Sequence, residues 1–270
     1  MASLTTALGA KYPDSTVLYD YDFLASPDLH GFEQLYSGTY NPPIGWDRNG
    51  MWIGLDNTNS QISTAIKRLT HLDRFNRITV EAWVSLAQWY GDNNIRSIEI
   101  GVDQADNAGA RNYYSLRRVF TKTTGAADPT NRFDVKTGTD SVPSYTILPG
   151  HGGASGTVLG AADTEPTIST FDWSAWPPNE NKRNVVLMAL EIDPVANAYR
   201  GARFNDSKYG TLRDSGANDA TISALQGQSS TLTRFANGLN VSIDLRALTT
   251  GSRTAADAYV SRIRLTGRNV

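Results

Sequence analysis

From Phe75 to Leu86 the chain reads Phe-Asn-Arg-Ile-Thr-Val-Glu-Ala-Trp-Val-Ser-Leu. Ile78, Val80, Ala82 and Val84 share one parity, and Thr79, Glu81 and Trp83 share the other. Successive side chains of a strand point to opposite faces, so this period of two predicts a strand with one apolar face. The same alternation returns in Val17 to Phe23, Met51 to Leu55, Ile95 to Val102, Tyr113 to Phe120, Leu239 to Leu245 and Ala258 to Leu265. Val185 to Asp193 is mostly apolar, which suits a strand buried on both faces. Pro194 ends it and β-branched residues lead it, so a helix is the weaker reading there. The Asp193 to Asn197 and Asn205 to Gly210 segments read as turns, because proline, Asp and Asn fix or bond nearby backbone, and they make a meander of three antiparallel strands. Shorter strands are expected within Arg132 to Lys136 and Ser144 to Leu148. Many strands and no long amphipathic helix predict an all-β antiparallel sandwich.

Length and composition narrow the class. At 270 residues the chain is long enough to bury a large core as one domain, 1–270. Hydrophobic residues make up 40% and charged residues 19%, a globular balance. A formal net charge of −2 supplies no field for nucleic acid or an anionic membrane. With no cysteine there is no disulfide framework and no thiolate zinc site. Met1 to Ser15 lacks the basic flank and apolar run of a secretory signal, and no apolar run reaches membrane-spanning length. Residues 1–15 therefore read as an N-terminal arm. Residues 122–184 are rich in Gly, Ala, Thr, Asp and Pro and read as a long loop-rich insertion, either functional or an assembly contact.

Two passages carry a resemblance. Thr79-Val-Glu-Ala-Trp-Val84, and the succession Leu190-Glu-Ile-Asp-Pro194, a short turn, Tyr199 to Asp206 and Leu212-Arg-Asp214, resemble the laminin-G-like, concanavalin-A-type jelly-roll superfamily. The resemblance runs in pieces from Ile78 to Leu265 and implies a jelly-roll sandwich. It implies no single activity, because that fold carries lectins, hydrolases, lyases and structural modules alike.

Candidate chemistry is sparse. Glu191-Ile-Asp193 resembles the opening of the Glu-x-Asp-x-x-Glu signature of laminarinase-like glycoside hydrolases, but Val195 and Ala196 stand where the second glutamate belongs. Retaining hydrolysis needs two carboxyl groups about 5 Å apart, and the preferred reading is a strand end with a turn-capping aspartate. Asp92, Asn93 and Asn94, and Asp103, Asp106 and Asn107, are oxygen ligands of the kind calcium takes, without the Gly and distal Glu of an EF-hand loop. Turn formation is the simpler account, and no cofactor is called for. His30, His71 and His151 have no zinc spacing. Trp46, Trp89, Tyr90, Trp173 and Trp176 lie near Gly, Pro, Asp or Asn and are the glycan-stacking candidates, against end-capping as the bland alternative. An enzymatic site would draw on Arg96, Glu99, Tyr113 and Arg117.

The resulting expectation is a non-catalytic structural jelly roll of a larger assembly, a bacteriophage virion component such as a head-decoration or tail-associated protein, with glycan-binding capacity. Its partners are other copies of itself, other assembly proteins and cell-surface glycan, with no nucleic acid and no membrane insertion. It is assembled in the host cytoplasm and located in the virion. The alternatives are a free lectin-like carbohydrate-binding module and a polysaccharide hydrolase or lyase.

Overall fold

A computed structural model describes residues 15–37, 44–55, 62–69, 75–86, 95–105, 111–119, 133–139, 142–147, 185–204, 207–210, 226–230, 238–247 and 256–270. Every regular element among them is a strand. The first sheet holds β1 (Thr16–Asp22), β3 (Ile44–Asp47), β4 (Gly50–Leu55), β6 (Arg77–Leu86), β11 (Val186–Asp193), β12 (Ala198–Phe204), β13 (Ser207–Gly210) and β16 (Ala256–Arg268). The second holds β2 (Glu33–Ser37), β5 (Ile62–Leu69), β7 (Ile95–Ala105), β8 (Arg111–Val119), β9 (Phe133–Thr139), β10 (Val142–Ile147), β14 (Gln228–Ser230) and β15 (Leu239–Ala247). The chain passes repeatedly from one sheet to the other, and all ladders are antiparallel except a single parallel pairing of Ser229 with Thr139. This is an antiparallel β-sandwich of the jelly-roll type.

The predicted alternation explains why the sheets stack. Ile78, Val80, Ala82 and Val84 of β6 are all essentially buried and join one core with Met188, Leu190, Ile263 and Leu265. Ile98, Ile100, Val102, Leu116, Ile243 and Leu245 cover it from the second sheet. A slip of one residue would turn each set outward, so burial fixes the register. Asp193 accepts a hydrogen bond from Ala196 N at 2.9 Å, the turn cap that the sequence suggests. Asn205 to Gly210 departs from the expectation: Ser207 to Gly210 is itself the short edge strand β13, paired along Gly201 to Phe204. Four further strands, β2, β3, β5 and β14, carry no clear alternation that marks them in the sequence. Within 122–184, β9 and β10 pair as a hairpin, near the two short strands expected there.

Two irregularities shape the sheets. The thirteen-residue β16 runs along β6 on one side, while β4 and then β1 share its other side. At the handover the register shifts at Ser261, whose carbonyl accepts from Phe23 N at 2.9 Å. Gly50 lies against the same place at φ +110, and a Cβ there would sit 2.4 Å from Val260 O. In the second sheet, β8 and β9 pair only from Leu116 to Arg118, and β14 enters between them beyond that point. Tyr199 of β12 reaches across the core into this fork: its hydroxyl donates to Lys136 O at 2.5 Å and accepts from Ser115 N at 3.0 Å. No helix among the described residues is long and apolar enough to cross a membrane.

Candidate functional site on the outer face of the second sheet

Antiparallel register decides which polar side chains meet. Glu99 stands opposite Arg117 on one side and Asp244 on the other, Gly101 opposite Ser115 and Ser242, and Arg117 opposite Asp134. Lys136 stands opposite Tyr145. All of these carry the parity opposite to the core residues Ile98, Ile100, Leu116, Val135 and Ile243, so they gather on the outer face. The gathering is a layer of charge buried outside the hydrophobic core.

Its base is closed. Arg117 is fully buried and forks onto Asp134, with Nε to Oδ1 at 2.9 Å and Nη2 to Oδ2 at 2.8 Å. The Tyr145 ring lies over the guanidinium, 3.3 Å from its central carbon to the centroid. The planar fork matches a carboxylate bidentately and leaves a flat face for an aromatic ring. Glu99 is likewise fully buried. It accepts from the hydroxyls of Tyr113 and Tyr145, each at 3.3 Å, and pairs with Arg246 at 3.4 Å. Burial alone pushes its carboxyl up, but Arg246, Lys136 and Arg117 outweigh that and hold it well below the usual carboxylate range. Asp244 has less help. Burial and the neighbouring Glu99 charge push it up to about 6, against weaker pulls from Arg246 and Lys136. Its Oδ1 is buried and has no hydrogen-bond partner.

The rim is half-open. Tyr113 and Lys136 are partly exposed, as is Thr64, which stands opposite Asp244. The Lys136 ammonium lies 5.0 Å from the Tyr113 ring centroid and 5.8 Å from that of Tyr145. Tyr113 lies across β7 because residue 101 is glycine: a Cβ there would sit 2.2 Å from the Tyr113 hydroxyl and 2.7 Å from Ser242 Oγ. That passage lets the hydroxyl come within 3.4 Å of Ser242 Oγ on the far strand. The rim thus offers an aromatic face, an ammonium and side-chain oxygens, held in place by the ionic layer below.

The sequence candidates fall unevenly on this picture. Glu99, Tyr113 and Arg117 come together here, while the Arg96 side chain lies outside the described residues. Trp46 sits on β3 in the other sheet, partly buried against the core, and its indole N–H donates to Phe23 O at 2.6 Å. Trp89, Tyr90, Trp173 and Trp176 lie outside the described residues, as do Asp92, Asn93, Asn94, Asp106, Asn107, His71 and His151. Asp103 is engaged by Arg111, with Nε to Oδ1 at 3.0 Å and Nη2 to Oδ2 at 2.9 Å. No group of three or more His, Cys, Asp or Glu fit to hold a metal occurs among the described residues.

Glu191 and Asp193 lie on the outer face of the first sheet and are each held by arginine. Arg268 Nη2 meets Glu191 Oε2 at 3.1 Å, and Arg77 and Arg200 bind Asp193. Sequence reasoning missed Asp134, Lys136, Tyr145, Asp244 and Arg246. A signal was present in Leu239 to Ala247, where Asn240, Ser242, Asp244 and Arg246 make a polar stripe of period two opposite an apolar one. Such a stripe marks an outer face but not its partners, which depend on strand order.

No protein-family model matches the chain, and no curated protein matches it. Among solved structures, the CBM2 module of the evolved Dit of Lactobacillus casei BL23 phage J-1 is 10% identical, with 95% of this chain and 97% of that one covered at a TM-score of 0.43. Winged bean acidic lectin with methyl-α-D-galactose is 9% identical, covering 94% and 99%, TM-score 0.47. A pseudo β-1,3-glucanase of Mycobacterium tuberculosis is 8% identical, covering 93% and 98%, TM-score 0.43. At these scores none of the three bears on what the outer-face site does.

Proposed function

We propose that the protein is a non-catalytic glycan-binding jelly roll whose ligand face is the outer face of the second sheet. The observation that carries this reading is the contrast between the closed base and the half-open rim. Sugar rings present C–H faces that stack on aromatics and hydroxyls that need fixed donors and acceptors. Tyr113, Lys136, Arg246 and Thr64, all partly exposed, supply both kinds of contact at the rim. A general acid or base has to reach the reacting atoms. Glu99 and Asp134, by contrast, are fully buried and already satisfied by arginine and tyrosine. Titration of the purified chain with a glycan panel is expected to give binding that falls at least about tenfold in Tyr113→Ala, with no release of reducing or unsaturated sugar ends. Absence of binding to every glycan overturns the proposal.

A second reading, a polysaccharide hydrolase or lyase, draws on one feature. Glu99 and Asp244 face each other across neighbouring strands, one held ionised and the other pushed up to about 6. Two carboxyls driven apart in this way are the usual preparation for acid and base roles. Release of sugar ends that vanishes in Asp244→Asn but persists in Glu191→Gln would establish it in place of the binding reading.

A further inference from the structure

The charges of the cluster are shared unevenly, because Arg246 meets both Glu99, at 3.4 Å, and Asp244, at 3.9 Å. Arg117 is matched by Asp134, Arg246 by Glu99, and Arg111 by Asp103. Lys136 has no such match. Its ammonium rests on the Tyr113 and Tyr145 rings, and no carboxylate pairs with it among the described residues. It stands on β9 at the half-exposed edge of the cluster, where the two rings hold it. A cation over aromatic faces keeps its full charge and its donors for a further partner.

Asp244, which meets Arg246 at 3.9 Å through Oδ2, keeps its other oxygen buried without any hydrogen-bond partner. Burial and the Glu99 charge disfavour its ionised form, so well below pH 6 it is largely neutral and supplies no anion to Lys136. As a neutral acid it becomes a donor instead. The site then holds a preformed cation, a second donor and an aromatic face, and the ionised carboxylates beneath it among the described residues, Glu99 and Asp134, are paired with arginine.

We propose that the ligand of this face is an acidic glycan, its carboxylate or sulfate group paired with Lys136 and its ring laid against Tyr113. This rests on the glycan-binding reading and adds the class of sugar. Uronates and sulfated sugars share the chemistry, an anionic oxygen group beside an apolar ring face. Selectivity follows from desolvation: a neutral sugar would strip water from the Lys136 ammonium without pairing it directly, whereas an anionic group replaces that water with a direct ion pair.

The test compares matched polymers by titration calorimetry at about pH 5, where Asp244 is largely neutral: polygalacturonate against its methyl ester, and dextran sulfate against dextran. Wild type is expected to bind the acidic member of at least one pair about tenfold or more tightly than the neutral member. Which pair responds separates carboxylate from sulfate. Lys136→Gln should lose that preference, keeping any weak binding to the neutral member and its melting temperature. Lys136→Arg should retain the preference and serves as the control for folding. Equal binding of acidic and neutral members, or an unchanged preference in a folded Lys136→Gln, overturns the acidic assignment alone. Binding of neither member of either pair, and of no other glycan, overturns both this inference and the glycan-binding reading.

Discussion

At Arg117 and Asp134 two opposite charges sit fully buried, fastened by two hydrogen bonds and capped by a tyrosine ring. Removing one partner strands the other, so Asp134→Ala is expected to cost about 3–5 kcal/mol in urea unfolding. Replacing both by apolar residues of similar size should recover most of that loss, because no orphan charge remains. Asp244 governs the pH dependence in the opposite sense to its neighbours. Its folded-state affinity for a proton is raised, so folding takes up a proton between about pH 4 and 6, and its contribution is lost as pH rises through that window. Glu99 and Asp193 are held below the usual range, and their contribution is lost as pH falls below about 4. Thermal melts across pH 3–8 should therefore peak on the acid side of neutrality, and Asp244→Asn should flatten the limb between pH 4 and 6. In the sequence Asp244 was one polar residue in a stripe. Its perturbation needed Glu99 beside it, 145 positions away in the chain (244 − 99), and only strand pairing brings the two together.

Among the elements, the fork between β8 and β9 depends on a side chain from the opposite sheet. Tyr199→Phe removes the hydroxyl that serves Ser115 N and Lys136 O, leaving both backbone groups buried without that partner. The expected cost is about 1–3 kcal/mol by chemical denaturation, and the hairpin β9–β10 should exchange its amide protons faster. Gly101→Ala should act differently, forcing the Tyr113 hydroxyl away from Ser242 and weakening glycan binding more than stability. The strongly alternating strands β1, β6, β7, β15 and β16 were legible because one face of each packs on the core, and burial enforces period two. β3 and β14 were not, since strands of four and three residues are too short to show a period. The site was half legible for a related reason: Glu99, Tyr113 and Arg117 lie on strands that alternate over many residues, whereas Lys136 and Tyr145 lie on the two short strands expected within 122–184, too short to show which face each side chain joins.

For the molecule as a whole, closure of the first sheet joins distant parts of the chain. Arg262 forks onto Asp20 at 2.8 and 2.7 Å across 242 positions, and the C-terminal Val270 exchanges hydrogen bonds with Asn76 at 2.9 and 3.0 Å. Deleting β1 would uncover half of one edge of β16, a row of backbone donors and acceptors, and the expected result is aggregation or a broadened melting transition by light scattering and calorimetry. The long-range pairing also has a consequence in time. During synthesis at about 5–20 residues per second, Arg262 follows Asp20 out of the ribosome by roughly 12–50 s. Through that interval β1 has no strand to pair with, and Tyr19, Tyr21 and Phe23 have only part of the surface that later buries them. The order of events is thus written into the topology: the first of the described strands finds its place only when the last of them has been made.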